Sequence, residues 1–266
     1  MIKLLKKFWP KKGCNKIYIT VFLFNWAFGW VNEQKSENII INKSKNLEKS
    51  VVILGKGTLS IKVCKWLLDE KEFNLRCIVP VIPEPNWTES LIEFAKSNNV
   101  PYVKSGSVID LDKFVNIEEI DLTFSIFFET ILKKEFINKC KRIINFHPSP
   151  LPKYRGVKPI NWFLKDHENR DEATFAVSVL EINESIDAGP IISQVSFPVY
   201  PKSDEVIDVF NRSLDHGYYL IIYTLRKLDS IVPKPQNKDE ATIYFNKDNH
   251  LLGNRLTFTK ELSKSW

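Results

Sequence analysis

Short apolar runs alternate with stretches of helical spacing in the first half of the chain. Residues 51–54 (VVIL) predict a buried strand, and residues 58–70 predict the helix that follows the Gly-Lys-Gly turn at 55–57. The same patterns predict strands at 75–82, near 101–103, at 121–128 and at 142–147, and helices at 88–98 (N-cap Thr88) and 133–140. This alternation predicts an α/β domain with a mostly parallel, Rossmann-like sheet and helices on both faces.

The pattern changes after residue 147. Residues 159–166 predict a helix, and two long apolar runs at 173–182 and 189–199 predict antiparallel neighbouring strands. Residues 204–228 are strongly amphipathic, acidic at the start and basic at the end, which predicts a long C-terminal helix. The run ATIYF at 241–245 predicts a short hairpin.

The first fifty residues differ from the rest, because a Lys-rich start precedes an apolar run at 17–31 and a polar stretch. The chain therefore divides into an N-terminal extension and linker at 1–48, a main domain at 49–230 and a short C-terminal extension at 231–266. The N-terminal extension is a membrane anchor, an element packed on the domain, or a segment absent from the native protein because the start was assigned too early. We favour the third explanation, with Leu47 as the candidate start, since Met1 is the only methionine.

The net charge of +6 lies almost wholly in that extension. Residues 1–50 hold ten Lys and three Glu (+7), so residues 51–266 carry +6 − 7 = −1. A near-neutral body argues against a nucleic-acid partner. The four cysteines form no CxxC or zinc-like pattern, which predicts no metal site and a reducing, cytoplasmic location.

The candidate catalytic residues lie at the end of one strand and in one turn. Asn145 and His147 are two residues apart, so both side chains point to one face of their strand, and Asp187 lies in a turn between two apolar strands. Each alone is more often structural. Together they predict acyl-type transfer, in which the histidine takes a proton, the aspartate orients it and the asparagine stabilises an oxyanion.

The sequence also bears on how the group is transferred and on the role of the Gly-Lys-Gly turn. No Ser or Cys occupies a nucleophile elbow, so direct transfer to a bound amine is favoured over an acyl-enzyme. The turn at 55–57 either cradles a phosphate at a helix N-terminus or needs glycine only for its backbone, and the second explanation is favoured.

Three segments resemble the folate-dependent formyltransferases. The stretch NFHPSPLPKYRGVKPINW, from Asn145, is similar to their N-x-H-P-S-x-L-P-x-x-x-G signature, and IDAGPIISQ is similar to the signature that supplies their aspartate. The segment FSIFFETILKKEFI resembles the strand and loop that border their folate pocket. The resemblance implies their Rossmann-like fold, N10-formyltetrahydrofolate as co-substrate, and Asn145, His147 and Asp187 as the catalytic residues.

The resemblance also implies binding residues. Thr130, Ile131 and Leu132 match the loop that contacts the pterin, and the facing loop is matched by Asn183, Glu184 and Ile186. Contacts for sugar, base or phosphate are expected from Trp87, Tyr154 and Arg155, each of which is about as often a packing or surface residue.

Several acceptor amines are compatible with the sequence. The stretches that begin at residues 51, 81 and 147 look most like the nucleotide-sugar N-formyltransferases of O-antigen synthesis, which act on sugars such as a dTDP-linked 4-amino-4,6-dideoxyglucose. Methionyl-tRNA and glycinamide ribonucleotide remain alternatives, although the 266 − 201 = 65 residues after Pro201 leave little room for the barrel of the tRNA enzymes. An inactive folate or nucleotide-sugar binding module also remains open. The resemblance suggests a homodimer.

Overall fold

A six-stranded sheet forms the centre of the described part of the chain. The structure, a computed structural model, describes residues 48–256, so the extension predicted at 1–48 lies outside the described residues apart from Glu48. The strands of this sheet are β1 (Lys49–Gly55), β2 (Phe73–Pro80), β3 (Leu122–Ile126), β4 (Ile143–His147), β6 (Ala173–Glu181) and β7 (Ile191–Val199). Two short strands, β5 (Arg155–Gly156) and β8 (Ile243–Tyr244), form a separate pair.

The strand order is β2-β1-β3-β4-β6-β7. The first four strands of this order are parallel, whereas β6 and β7 are antiparallel additions at the β4 edge. The predicted mostly parallel sheet with antiparallel C-terminal strands is therefore confirmed. Because β2 and β3 lie on opposite sides of β1, the chain reverses its direction of winding between β1 and β3, and a crevice opens there at the carboxyl ends of the strands.

Helices cover both faces of the sheet, as predicted. One face carries α1 (Gly57–Asp69), α2 (Leu91–Ser97), α4 (Pro159–Asp166) and α5 (Val206–Lys227). The other face carries α3 (Lys134–Lys139) and two 3₁₀ turns, at Val108–Lys113 and Ile117–Glu119. Successive side chains of β1 point to opposite faces of the sheet. Val51 and Ile53 therefore pack in the core on the first face, and Val52 and Leu54 in the core on the second.

The long C-terminal helix α5 has the charged ends and the apolar face that its amphipathic pattern predicted. Its start is closed by a capping box. The side chain of Glu205 accepts a hydrogen bond from the Asp208 N–H, and the side chain of Asp208 accepts one from the Glu205 N–H. Arg226 and Lys227 lie in its last turn, where the helix dipole favours positive charge. Its apolar stripe packs on the sheet and on α1, and the glycine in that stripe, Gly217, lies against the ring of Phe146.

Two local predictions are wrong in detail. Helix α2 begins at Leu91 and is capped by Ser90, whose hydroxyl accepts a hydrogen bond from the Glu93 N–H at 3.1 Å. Thr88 instead accepts from the Thr58 N–H at 3.1 Å in the first turn of α1. Both hydroxyl residues are good caps, so local sequence could not choose between them. The strand near 101–103 is reduced to a single bridge between Ile78 and Tyr102.

The predicted hairpin at 241–245 is also wrong. Strand β8 pairs in parallel with β5, so its partner among the described residues is a segment nearly ninety positions earlier rather than an adjacent arm. A two-residue strand has too little pattern of its own to specify a partner, and tertiary contacts decide the pairing. The division of the chain at residues 48 and 230 stays a prediction.

Candidate active site

The carboxyl ends of β1, β3 and β4 open into one cavity of about 840 Å³. This is the crevice at which the winding of the sheet reverses, the usual ligand position in open α/β sheets. Most of the wall comes from six segments of the chain. They are the turn after β1 (56–59), the loop after β3 (127–132), the segments at 145–148 and 156–159, the loop between β6 and β7 (180–189), and one side of α5.

The side chains of Asn145, His147 and Asp187 meet in this cavity. The Asn145 amide donates to Asp187 Oδ1 at 3.3 Å, and His147 Nδ1 lies 3.6 Å from Asp187 Oδ2. The Gly156 N–H donates to the same Oδ2 at 2.9 Å. A carboxylate held by two donors keeps one fixed orientation toward the imidazole, so the structure brings together the three residues singled out in the sequence.

The imidazole of His147 is held from its other side by the backbone. Its Nε2 lies 2.9 Å from the carbonyl oxygen of Tyr154, and the residue is 6% exposed. A carbonyl only accepts hydrogen bonds, so this contact keeps a proton on Nε2 and leaves Nδ1 facing Asp187. A proton taken up at Nδ1 would therefore face the Asp187 carboxylate, whose negative charge balances the positive charge of the imidazolium. A general base needs, in addition, a substrate proton within hydrogen-bond reach of that nitrogen.

The backbone around these residues is strained. Left-handed φ angles occur at Phe127 (56°), Tyr154 (59°), Lys158 (53°) and Asp187 (47°). Three of these four line the cavity, and the carbonyl of Tyr154 holds His147. Strained backbone of this kind persists where the surrounding structure enforces it, and it concentrates at functional sites.

The positive φ of Gly156 has a steric reason. Its φ is 85°, and a Cβ there would lie 2.1 Å from the carbonyl oxygen of Tyr244. Only glycine lets β5 approach β8 this closely while its N–H reaches Asp187.

The two loops expected to hold the folate also line the cavity. Thr130, Ile131 and Leu132 lie on one lip, and the facing lip contains Asn183, Glu184 and Ile186. Ile131 is 77% exposed, so the lip presents apolar surface to the opening. The Lys134 amine lies 2.7 Å from the Glu184 carboxylate, which shows that the two lips are neighbours. Their role as pterin contacts stays a prediction.

The three residues expected to contact the acceptor separate into two groups. Trp87 lines the cavity, packs edge-on against Phe210 with ring centroids 6.1 Å apart, and has the Lys56 amine 5.9 Å from its ring. Tyr154 and Arg155 are not among the cavity-lining residues. The Arg155 guanidinium donates to Gln236 Oε1 from Nε (3.0 Å) and Nη2 (2.7 Å), so its side chain is engaged within the protein.

Tyr154 is buried within the protein and lies outside the cavity lining, and its role as a substrate contact stays a prediction. Its ring is buried against Phe163 and Tyr244, and its hydroxyl donates to Asp166 Oδ2 at 3.0 Å. Burial and the neighbouring Asp166 carboxylate raise the pKa of the Tyr154 hydroxyl. Its backbone carbonyl is the group that contacts His147.

Replacing Tyr154 by phenylalanine should therefore affect stability and not substrate binding. Loss of the hydrogen bond to the exposed Asp166 is expected to cost about 1 kcal/mol. This corresponds to a Tm lower by about 2–4 °C for a domain of this size, measured by thermal denaturation. KM for both substrates should stay within twofold of wild type. A large rise in KM at unchanged Tm would restore Tyr154 as a ligand contact.

One residue that sequence reasoning missed is Gln236. Its amide donates to the carbonyl oxygens of Asp187 (2.8 Å) and Gly189 (2.7 Å), while its Oε1 accepts from Arg155. Gln236 belongs to residues 234–244, which we call the closing segment, because this stretch crosses from β7 to β5. No local pattern marks Gln236, since all of these contacts are distant in sequence.

The rest of the closing segment extends the same connection. Lys234 exchanges two backbone hydrogen bonds of 2.8 Å with Ile191. At the other end the N–H groups of Arg155 and Val157 donate to the carbonyls of Thr242 (2.9 Å) and Tyr244 (3.0 Å). The closing segment thus joins the loop of Asp187 to the strand that contains Gly156.

The described residues provide neither a metal cluster nor a membrane-spanning helix. Within residues 48–256, no cluster of three or more His, Cys, Asp or Glu side chains is arranged to hold a metal ion. In the same range, no helix combines the length and apolar character that a membrane span requires.

Comparisons with known proteins agree with this geometry. The chain is similar to methionyl-tRNA formyltransferases of Caldicellulosiruptor saccharolyticus (26% identity) and Enterococcus faecalis (29% identity), over 72% of this chain in both cases. It spans 63% of the length of each of these relatives.

Solved structures of similar fold include sugar-modifying enzymes. One is the sugar 3N-formyltransferase WlaRD, in the presence of dTDP and 5-N-formyl-THF (26% identity, TM-score 0.61, 76% of this chain and 71% of that one). Another is an N-formyltransferase from Helicobacter canadensis with folinic acid and dTDP-3-aminofucose (23% identity, TM-score 0.62, 75% and 71%). The profile of the Formyl transferase family matches residues 92–225, half of the chain. The protein therefore belongs to the formyl transferase family.

Proposed function

We propose that this protein transfers a formyl group from N10-formyltetrahydrofolate to the amine of a nucleotide-linked amino sugar. The observation that supports this most is the convergence of Asn145, His147 and Asp187 in one cavity, with the His147 Nδ1 facing the carboxylate. The co-substrate supplies the formyl carbon, and its pterin is expected between the lips at 130–132 and 183–186.

The protein's own groups perform the proton transfers. His147 accepts the proton that the attacking amine loses as the new C–N bond forms, and it later returns that proton to the departing nitrogen. Asp187 orients the imidazole and balances its positive charge. The Asn145 amide, which has a second N–H beyond the one on Asp187, donates to the oxygen on which negative charge develops.

An amino sugar on dTDP is favoured over tRNA as the acceptor. Two solved relatives are sugar enzymes with dTDP or a dTDP-sugar, and the chain body carries a net charge near −1 rather than the basic surface that tRNA needs. Methionyl-tRNA remains a second candidate, because curated relatives at 24–29% identity carry that activity. We further propose a role in surface-polysaccharide synthesis such as that of O-antigen, in the cytoplasm, and a homodimeric state.

The function is tested by incubating the purified protein with N10-formyltetrahydrofolate and a panel of acceptors. The panel contains amino sugars on dTDP, UDP and GDP, together with methionyl-tRNA and glycinamide ribonucleotide. Mass spectrometry is expected to show one added formyl group on a dTDP-linked amino sugar. Formylation confined to methionyl-tRNA would contradict the sugar assignment and leave the family assignment intact.

A further inference from the structure

Lys158 is a buried lysine in the wall of the cavity. It follows β5 by two residues and caps α4, and only 4% of its surface is exposed. The segment that contains it is anchored by the Gly156 N–H on Asp187 and by the Val157 N–H on Tyr244. Lys158 therefore lies two residues after Gly156, whose N–H donates to the Asp187 carboxylate, in an anchored part of the cavity wall.

The amine of Lys158 makes no hydrogen bond or ion pair with any residue in the range 48–256. Lys56, another buried lysine in the same wall, differs because it pairs with Glu129. The polar side-chain atoms that are fully buried without a partner do not include the Lys158 amine, so this amine is accessible to water. Since the residue lines the cavity and is otherwise buried, that water is in the cavity.

This arrangement is costly unless an anion lies beside the amine. A buried ammonium without a counter-charge is destabilising, and a methionine of similar length would fill the same space without that cost. Burial lowers the pKa of Lys158, with no acidic neighbour to oppose the shift. Arg155, three residues earlier, has Asp187 within electrostatic range, which partly offsets the lowering of its pKa by burial.

We propose that Lys158 binds an anionic phosphate or carboxylate oxygen of a substrate in this cavity, and so selects for substrates that carry one. The proposal rests on the proposed function, because both of its substrates have such groups: the diphosphate of the nucleotide and the carboxylates of the folate tail. Lys158 contacts the ligand away from the reacting atoms and is a binding residue, not part of the proton transfer.

The test measures binding of dTDP and of folinic acid separately, by isothermal titration calorimetry, with no turnover required. Lys158→Met is expected to raise Kd about 10- to 100-fold for the probe that supplies the anion and to leave the other Kd within twofold. Weakened dTDP binding assigns the contact to the acceptor diphosphate, and weakened folinic acid binding assigns it to the folate carboxylates. Lys153→Met, at an exposed position of the same loop, is the matched control and should change neither Kd.

Thermal denaturation without ligand separates this role from a structural one. Lys158→Met should have a Tm equal to or above that of wild type, because the variant removes an unpaired buried charge. Unchanged Kd values for both probes in Lys158→Met would overturn the proposal while leaving the proposed function standing. A wild-type protein that binds neither probe would overturn both.

Discussion

His147→Asn is expected to lower kcat for formyl transfer by about 10²- to 10⁴-fold, with little change in KM, since a general base typically contributes a factor of this size. The structure gives the reason: Nδ1 is the ring nitrogen that faces Asp187, and the Tyr154 carbonyl holds Nε2. An asparagine side chain can donate to the same carbonyl and so keep the loop in place, but it cannot accept a proton at neutral pH. Single-turnover kinetics with saturating substrates would measure the chemical step directly.

Two controls accompany this experiment. Folinic acid binding and Tm should stay near wild type in His147→Asn, which would show that the cavity is intact. His250→Asn, which alters a histidine on the surface away from the cavity, should retain full kcat. A His147→Asn variant with kcat near wild type would remove His147 from the proton transfer and with it the main support for the proposed mechanism.

Asp187→Asn should have the second largest effect, a fall in kcat of about 10²- to 10³-fold. Asparagine tolerates the left-handed backbone at this position, where φ is 47°, so the fold of the loop should persist. The amide lacks the negative charge that balances a protonated His147, and it has one acceptor oxygen for the two donors, Asn145 and Gly156. Steady-state kinetics on purified protein would measure the effect.

A double variant tests whether Asp187 acts through His147. If it does, Asp187→Asn combined with His147→Asn should be about as slow as His147→Asn alone, because groups that act as one unit are not additive. Fully multiplicative losses would instead indicate that Asp187 has an independent role. Asp171→Asn, at an exposed position paired with Lys202, serves as the matched control and should not alter kcat.

The spacing of apolar residues was sufficient to predict the helices and strands that bury one regular apolar face. Helix α4 has the predicted bounds, because Pro159 fixes its first turn and the apolar spacing ends at Asp166. Strands β6 and β7 were also predicted as antiparallel neighbours, since two long apolar runs are joined by a short turn. Asn145 and His147 could be paired from sequence because the two-residue repeat of a strand places them on one face.

Contacts that join distant segments could not be predicted. The partner of β8 depends on Gly156, whose missing Cβ allows the close approach to Tyr244. Tyr154 and Arg155 have side chains suited to ligands, but Asp166, 12 residues after Tyr154, and Gln236, 81 residues after Arg155, occupy their polar groups. Composition and spacing describe a residue's local environment, whereas these choices are made by tertiary packing.

The closing segment has a consequence for the order in which the protein is made. Its hydrogen bonds to Asp187, Gly189 and the strand at Arg155–Gly156 are supplied by residues 236–244, which follow β7 and the whole of α5 in the chain. A nascent chain can build the sheet as far as β7 before these residues leave the ribosome, but its loop and strand remain unjoined until they do. Catalytic competence should therefore arise only after the sheet has already folded.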